Sequence, residues 1–297
     1  MGTFDKCPIC GGEIAGEAHG YNCCEICRHR WKQTVAQVEI ENDILSAVGL
    51  VKADRLTSAK MLAVARLTRS RGSLLDFGAG SGKFVYFSKL RFSKAEGVEV
   101  TPACIAWARD VLGVNLRPDL PEGACYDVVT AWHVLEHLPP ERLRAAVASL
   151  CECSREALII SVPNADSWAS HWFGVRYPYR DVVSHFHEFT PGSMRQLLRR
   201  CGCTKVVPFR VWIYSVFCYA QGLTNLTTGT HNLLYFRLKR GRDNVSLSSV
   251  GLGLHLVLFL FFVPLAALIT IMEIVVPERA ACIHIACYVA EPRNTSF

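Results

Sequence analysis

The sequence predicts an α/β protein: a doubly wound sheet carrying a small N-terminal metal module and a hydrophobic helical insertion. Three observations predict it. Two Cys-x2-Cys pairs stand near the N-terminus, short apolar runs alternate with helical segments from residue 73 onward, and one long run near the C-terminus carries no charge. The 297 residues are 51% hydrophobic and 20% charged, which excludes a mostly disordered chain. A mean hydropathy of +0.21 is high for a soluble enzyme, and the excess is concentrated in that one run.

Residues 1–34 read as the metal module. Cys7, Cys10, Cys24 and Cys27 form two Cys-x2-Cys pairs with 13 residues between them, in CPICGGEIAGEAHGYNCCEICRHRW. Each pair offers two thiolates from one turn, and two such turns complete the tetrahedral set that Zn²⁺ prefers. Gly11 and Gly12 follow the first pair, where a knuckle needs open backbone angles. With four sulfurs the metal has no open position, so its expected role is structural or in recognition. Cys23 is an alternate ligand to Cys24, but Cys24 keeps the spacing. No basic and apolar leader opens the chain, so the 14 cysteines are expected as thiols of a reducing cytoplasm. Residues 35–72 follow as a helical linker with a basic patch (Arg66, Arg69, Arg71), read as a solvated face.

Residues 73–215 form the expected core. SLLDFGAGSGKFVYFSKL gives a strand at 73–77, glycines at 78, 80 and 82, then a helix. Such glycines let a ligand approach backbone at a helix N-terminus, the usual nucleotide position in doubly wound sheets. The pattern Asp-x-Gly-x-Gly-x-Gly differs from the dinucleotide fingerprint. KAEGVEVTP supplies a second strand ending in Glu99, 23 residues after Asp76. CYDVVTAWHVLEHLPP supplies a strand led by Asp127 and then His-x-Leu-Glu-His; ALIISVPNADS and HFHEFTPGSMRQLLRRCGC follow in order.

These four collinear motifs resemble the class I S-adenosylmethionine (SAM) dependent methyltransferases, in their small-molecule and quinone branch. The resemblance implies a Rossmann-like, seven-stranded sheet with its last strand inserted antiparallel. It places Asp76, Gly78 and Gly80 at the methionine and ribose end, Gly82 in close helix packing, and Glu99 on the ribose hydroxyls. Asp119, in RPDLPEG, falls where an acidic group meets the adenine amine; the alternative is a turn residue before Pro121. In the ubiquinone O-methyltransferases an equivalent Glu-x-x-Glu-His holds a divalent metal, and here His133 replaces the first glutamate.

Methyl transfer asks chiefly for positioning, with a base only for a protonated acceptor. His133, Glu136 and His137, at i, i+3 and i+4, would share one helix face beside the strand end, with His133 as candidate base. The alternative for Glu136 and His137 is a structural pair closing the turn before Pro139. His185 and His187 form a second catalytic candidate cluster with Glu188. It follows the aromatic stretch WFGVRYPYR, where Trp172, Tyr177 and Tyr179 would cover the acceptor.

From Asn244 to Met272 there is no Asp, Glu, Lys or Arg. The 23-residue heart, VGLGLHLVLFLFFVPLAALITIM, would reach about 35 Å as a helix, enough for a hydrocarbon core about 30 Å thick. KVVPFRVWIYS fits the sixth strand and ACIHIACYVAEP (within 280–292) the seventh, so the insertion at 216–279 must leave and return on one side. Pro264 suggests two half-helices hinged into a re-entrant or in-plane hairpin. A buried helix under the sheet is the alternative, and a second span in 211–228 is weakened by its Gln, Asn and Gly. Arg237, Lys239, Arg240 and Arg242 would meet anionic headgroups. The expectation is a membrane-associated methyltransferase on the cytoplasmic side, held through 250–276, acting on a sugar, a lipid-linked saccharide or a similar amphiphile. The alternatives are an isoprenoid-quinone acceptor or an RNA methyltransferase, for which a net charge of +6 is poor support, and a non-catalytic membrane scaffold.

Overall fold

A computed structural model describes residues 5–35, 55–233 and 249–288. In the main sheet β4 (Ser73–Phe77) lies between β5 (Lys94–Val98) and β6 (Tyr126–Trp132). Next come β7 (Ser154–Pro163), β10 (Cys282–Tyr288) and β9 (Lys205–Pro208), giving the order β5-β4-β6-β7-β10-β9. The first four are parallel, and β10 runs antiparallel to both neighbours. Successive residues of each strand feed opposite cores. Leu75, Val129, Leu158, Ile160 and Ile285 face one side, and Leu74, Val128, Ile159 and Ala286 the other.

The first core is closed by α4 (Pro140–Glu152), α6 (Pro191–Arg200) and the metal module; α1 (Arg55–Leu67) and α7 (Trp212–Thr228) close the second. The helix starts follow local chemistry. Pro191 sits in the first turn of α6, and Thr190 and Ser193 form a reciprocal capping box. α3 (Pro102–Leu112) ends on Gly113 at φ 64°, the left-handed closure that glycine makes cheaply. α2 (Lys83–Ser88) and α5 (Trp168–Phe173) complete this part.

Of the expected seven strands, six form among the described residues. The seventh position is held by Arg117, which makes one parallel bridge to Val98 and donates its N–H to Gly97 O at 3.0 Å. Pro118 and Pro121 carry no N–H, so a longer ladder lacks donors there.

The module contains β1 (Ile14–Ala18), β2 (Tyr21–Cys24) and β3 (Arg30–Trp31), and β3 pairs with β8 (His187–Glu188) of the core. Trp31 is fully buried in the first core cluster, so the module is built into the core. Of the linker at 35–72, the structure describes α1; residues 36–54 lie outside the described residues.

Three expectations need correction. The sixth strand stops at Pro208, and Trp212 begins helix α7, although its β-branched and aromatic residues read as strand. The apolar run is one continuous helix, α8 (Ser249–Met272), with Pro264 inside it; proline leaves one carbonyl, that of Leu260, without its helical donor, while α7 supports the helix along its length. Its outward residues are exposed, including Leu254, Val257, Phe261 and Leu268, so it is not buried under the sheet. Finally, Cys203 and Cys287 form a disulfide with Cα atoms 5.8 Å apart. They meet because β9 and β10 are neighbours, which a separation of 84 residues conceals.

The return to the sheet is therefore made by α7 and α8 together. Near the start of α7, Ser215 and Tyr219 donate to the Glu273 carboxylate just past α8, at 2.7 and 2.9 Å. Beyond its end, Thr230 meets His255 near the start of α8 at 3.4 Å. The helices are antiparallel. Arg237, Lys239, Arg240 and Arg242 lie outside the described residues.

Candidate functional site

The glycine loop follows β4. Gly78, Gly80 and Gly82 have φ of 73°, 53° and 72°, angles at which other residues are strained. Gly78 and Ala79 both donate to Val98 O at 2.9 Å. A Cβ on Gly78 would strike Val134 at 2.5 Å, and one on Gly82 would touch Ala108 at 3.0 Å. Gly80 faces open space, with nothing within 4 Å of an added Cβ.

Glu99, just past β5, accepts from Gly80 N at 2.7 Å and Thr101 N at 2.9 Å, so a carboxylate stands on the rim of that opening. Asp76 is buried at the end of β4 and accepts from Thr130 Oγ1 at 2.6 Å. Burial pushes its carboxyl up to about 7 against the pull of Lys60 and Thr130. Asp119 is exposed on the turn after Arg117, which borders Glu99. The open floor over Gly80 and the acid at its edge fit a nucleoside with free ribose hydroxyls, as SAM has.

His133 follows β6, the parallel neighbour of β4, and its successor Val134 packs on Gly78. Base candidate and glycine loop thus share one strand-end site. His133 is held at φ 54°, off the helix expected for the His-x-Leu-Glu-His segment; the helical turn covers only Leu135–His137. Its Nδ1 lies 3.2 Å from Glu136 Oε1 and its Nε2 3.1 Å from Ser161 Oγ of β7. Glu136 is fully buried; burial alone would raise its carboxyl, but the His133 hydrogen bond and the nearby imidazoles hold it at about 2. An ionised Glu136 fixes the proton on Nδ1 and leaves the Nε2 lone pair toward Ser161. Tyr214 of α7 covers the ring at 4.7 Å between centroids, and Tyr179 packs at 5.7 Å. Ser161 and Tyr214 have no signature of their own, and Tyr214 lies in the stretch whose composition predicts the sixth strand.

His137 turns away from His133, its Nδ1 on Ser184 O, and its ring meets His185 edge-on at 4.6 Å. Burial, with His137 beside it, pushes His185 down to about 4. His187 turns to the metal module: its Nδ1 lies 3.0 Å from Nε2 of His29, and both rings are buried. Burial lowers His187 to about 3. Glu188 receives Arg30 and Arg180. His185 therefore stands behind the His133 and Glu136 pair, and His187 joins module to core. Of the aromatic stretch, Tyr177 is buried with its hydroxyl on Ala281 O, Tyr179 reaches His133, and Trp172 is exposed.

The four module sulfurs gather within 4.8 Å of one another, with Cys7 to Cys27 at 3.6 Å and Cys10 to Cys24 at 3.3 Å. Gly12 N and Cys27 N point at Cys10 and Cys24 sulfurs, and a Cβ on Gly12 would meet Cys24 Sγ at 3.0 Å. Cys23 lies apart, its sulfur toward Tyr21 O. This donor set suits a closed tetrahedral site.

A family model described as a methyltransferase domain matches residues 52–207, more than half of the chain. The chain belongs to this family and is a class I SAM-dependent methyltransferase. Solved structures similar to it include a SAM-dependent methyltransferase from Archaeoglobus fulgidus, at 18% identity over 78% of this chain and 93% of that one, with TM-score 0.46. Another is a possible histamine N-methyltransferase from Thermotoga maritima, at 18% identity over 50% and 72%, with TM-score 0.40. A third is the glycopeptide N-methyltransferase MtfA with SAM bound, at 18% identity over 54% and 88%, with TM-score 0.41. A comparison with curated proteins gives no match.

Proposed function

We propose that this methyltransferase works on the cytoplasmic face of a membrane and methylates an amphiphilic acceptor, a sugar or lipid-linked saccharide. The observation that carries this reading is α8: within Gly251–Met272 the most apolar 18-residue stretch has a mean hydropathy of 2.6, and 17% of that stretch is buried. Water is a poor solvent for so large an apolar face, and surfaces of this kind mark membrane or partner contact. Trp172 and Trp212, both exposed, lie beside Tyr219 and at the start of α7, the hairpin's base, where interfacial tryptophans are favoured. Tyr214 on the same hairpin covers His133, so an acceptor held at the lipid surface would lie near the site.

SAM, when bound, supplies a methyl group on a positively charged sulfur. Glu99 and the open floor at Gly80 hold and orient the nucleoside. His133, held by Glu136, would take the proton of an acceptor hydroxyl at Nε2. Tyr214 and Tyr179 exclude water and offer flat faces to a sugar ring. The cysteine quartet would hold one structural Zn²⁺, tying the Cys7–Cys10 turn to the knuckle between β2 and β3.

The test is transfer of labelled methyl from SAM into fractionated pools of membrane extract. Label in lipid-extractable saccharide supports the reading. Label in isoprenoid quinone would keep the membrane site and replace the acceptor, and label confined to RNA or water-soluble metabolites would overturn it.

A further inference from the structure

Beside the metal module lies a cleft of about 390 Å³ that the methyl-transfer chemistry does not use. Its walls come from four separated parts of the chain: Ile26 and Arg28 on the second cysteine knuckle, Asp166 just past β7, Gly192 and Arg195 in the first turns of α6, and Arg279 after α8. Glu278 also lines it, so three arginines face two acids. Glu278 is already matched, its carboxylate 2.9 Å from Arg195, and Arg279 donates to the backbone oxygen of Asp166 at 2.8 Å. Arg28 is exposed on a left-handed turn at φ 58°, a costly conformation for a residue with a Cβ. The start of α6 is closed by the Thr190–Ser193 capping box, and an added Cβ on Gly192 would have no neighbour nearer than Thr190 Oγ1 at 3.8 Å, so the backbone there can be approached closely from the cleft.

The cleft opens where the apolar surface ends. Ile274, Val275 and Val276 connect α8 to the lip, and Val275 is 83% exposed; on the opposite lip Ile26 is 64% exposed. If α8 lies in lipid, Arg279, seven residues past Met272, falls at headgroup depth by chain connection alone. Arginines converging from separate elements suit a group with several oxygens in different directions, as phosphate has, better than a planar carboxylate.

We propose that this cleft receives the phosphate headgroup of a membrane lipid, with the metal knuckle as one wall. The lipid-borne phosphate would then set the depth and orientation of the enzyme on the membrane. The proposal rests on the membrane reading above, and the test separates the two.

Purified full-length protein is sedimented with phosphatidylcholine vesicles, with and without phosphatidic acid. The wild type is expected to bind both and to bind the phosphatidic acid vesicles more tightly. Arg28→Asn and Arg279→Gln should each lower that added affinity about fivefold, while Arg279→Lys keeps most of it. Binding to neutral vesicles and zinc content should stay at wild-type values in all three, which excludes misfolding as the cause. Equal preference for phosphatidic acid in wild type and both neutral variants would overturn the cleft assignment and leave the membrane reading standing. A wild type that binds neither kind of vesicle would overturn the membrane reading itself. If inorganic diphosphate alone raises the melting temperature of the wild type and not of Arg28→Asn, the cleft serves a soluble phosphate and the lipid assignment falls.

Discussion

Gly80→Ala should separate folding from cofactor binding. Gly80 sits at φ 53°, where an alanine costs about 1–2 kcal/mol of backbone strain. No atom lies within 4 Å of the new methyl, so no clash adds to that, and the melting temperature should fall by only a few degrees. The methyl instead fills space that the loop leaves for a ligand beside Glu99. An overpacked contact costs about 1–3 kcal/mol, which corresponds to SAM binding weakened about five- to 150-fold. Gly113→Ala is the matched control, with φ 64° and equally open surroundings at the end of α3. It should lose the same few degrees and keep wild-type SAM affinity. Calorimetric titration with SAM and thermal melts of both variants give the two readouts. If Gly80→Ala binds SAM as tightly as Gly113→Ala, the open floor over Gly80 is not the cofactor seat.

His133→Gln should lower kcat about 10²- to 10⁴-fold with SAM affinity unchanged; full activity in the labelled-methyl assay would remove it as the base. The buried rings of His185 and His187 hold their pKa at about 4 and about 3, against 6.5 unfolded. The unfolded chain therefore takes up protons that the native rings refuse, and stability is full above pH 6.5 and falls below it. At pH 5 each ring should cost about 2 kcal/mol. Buried His29 and His284 are also held well below the usual imidazole range and add to the dependence. Urea melts at pH 7 and pH 5 would check this, with His187→Gln expected to lose about 2 kcal/mol of it; a pH-independent wild type contradicts it. Cys7→Ser with Cys10→Ser should release about one zinc per chain, read by metal analysis, and a metal-free folded wild type would remove the zinc assignment. Phe261→Asp, on the exposed face of α8, should move the protein out of the membrane fraction without lowering its melting temperature, and an unchanged fractionation would count against lipid contact.

What was legible in the sequence is what the chain encodes over short distances. The glycine loop, with Asp76 before it and Glu99 after it, is a strand, a turn and a helix start, each written in neighbouring residues. The cysteine quartet is legible because each knuckle contributes two ligands from one turn. The partners of His133 were only half visible: Glu136 is three residues away, but Ser161 and Tyr214 come from β7 and α7. The His29 to His187 contact spans 158 residues and depends on β3 meeting β8, which no local pattern announces. At Trp212–Ser215, β-branched and aromatic residues match a strand, and packing of α7 on the sheet and on α8 overrides that preference.

The topological difficulty posed by the apolar run has a different solution from the one Pro264 suggested, and the difference matters for function. A hinge in mid-run would have made the lipid-facing part a self-contained appendage. With α7 as the outgoing arm and α8 as the return, the exposed apolar helix is clamped at its base by Glu273. This carboxylate accepts from Ser215, Tyr219 and the backbone N–H of Ala281 at 2.7 to 2.9 Å, with Arg210 at 3.5 Å. Burial pushes its carboxyl up, and these donors offset the cost of keeping an acid there. Tyr214, one residue before Ser215, is the ring that lies over His133. Glu273 just past α8 and the ring over His133 are therefore tied to the same turn of α7, which on the proposed membrane reading would couple the seating of α8 in lipid to the position of Tyr214.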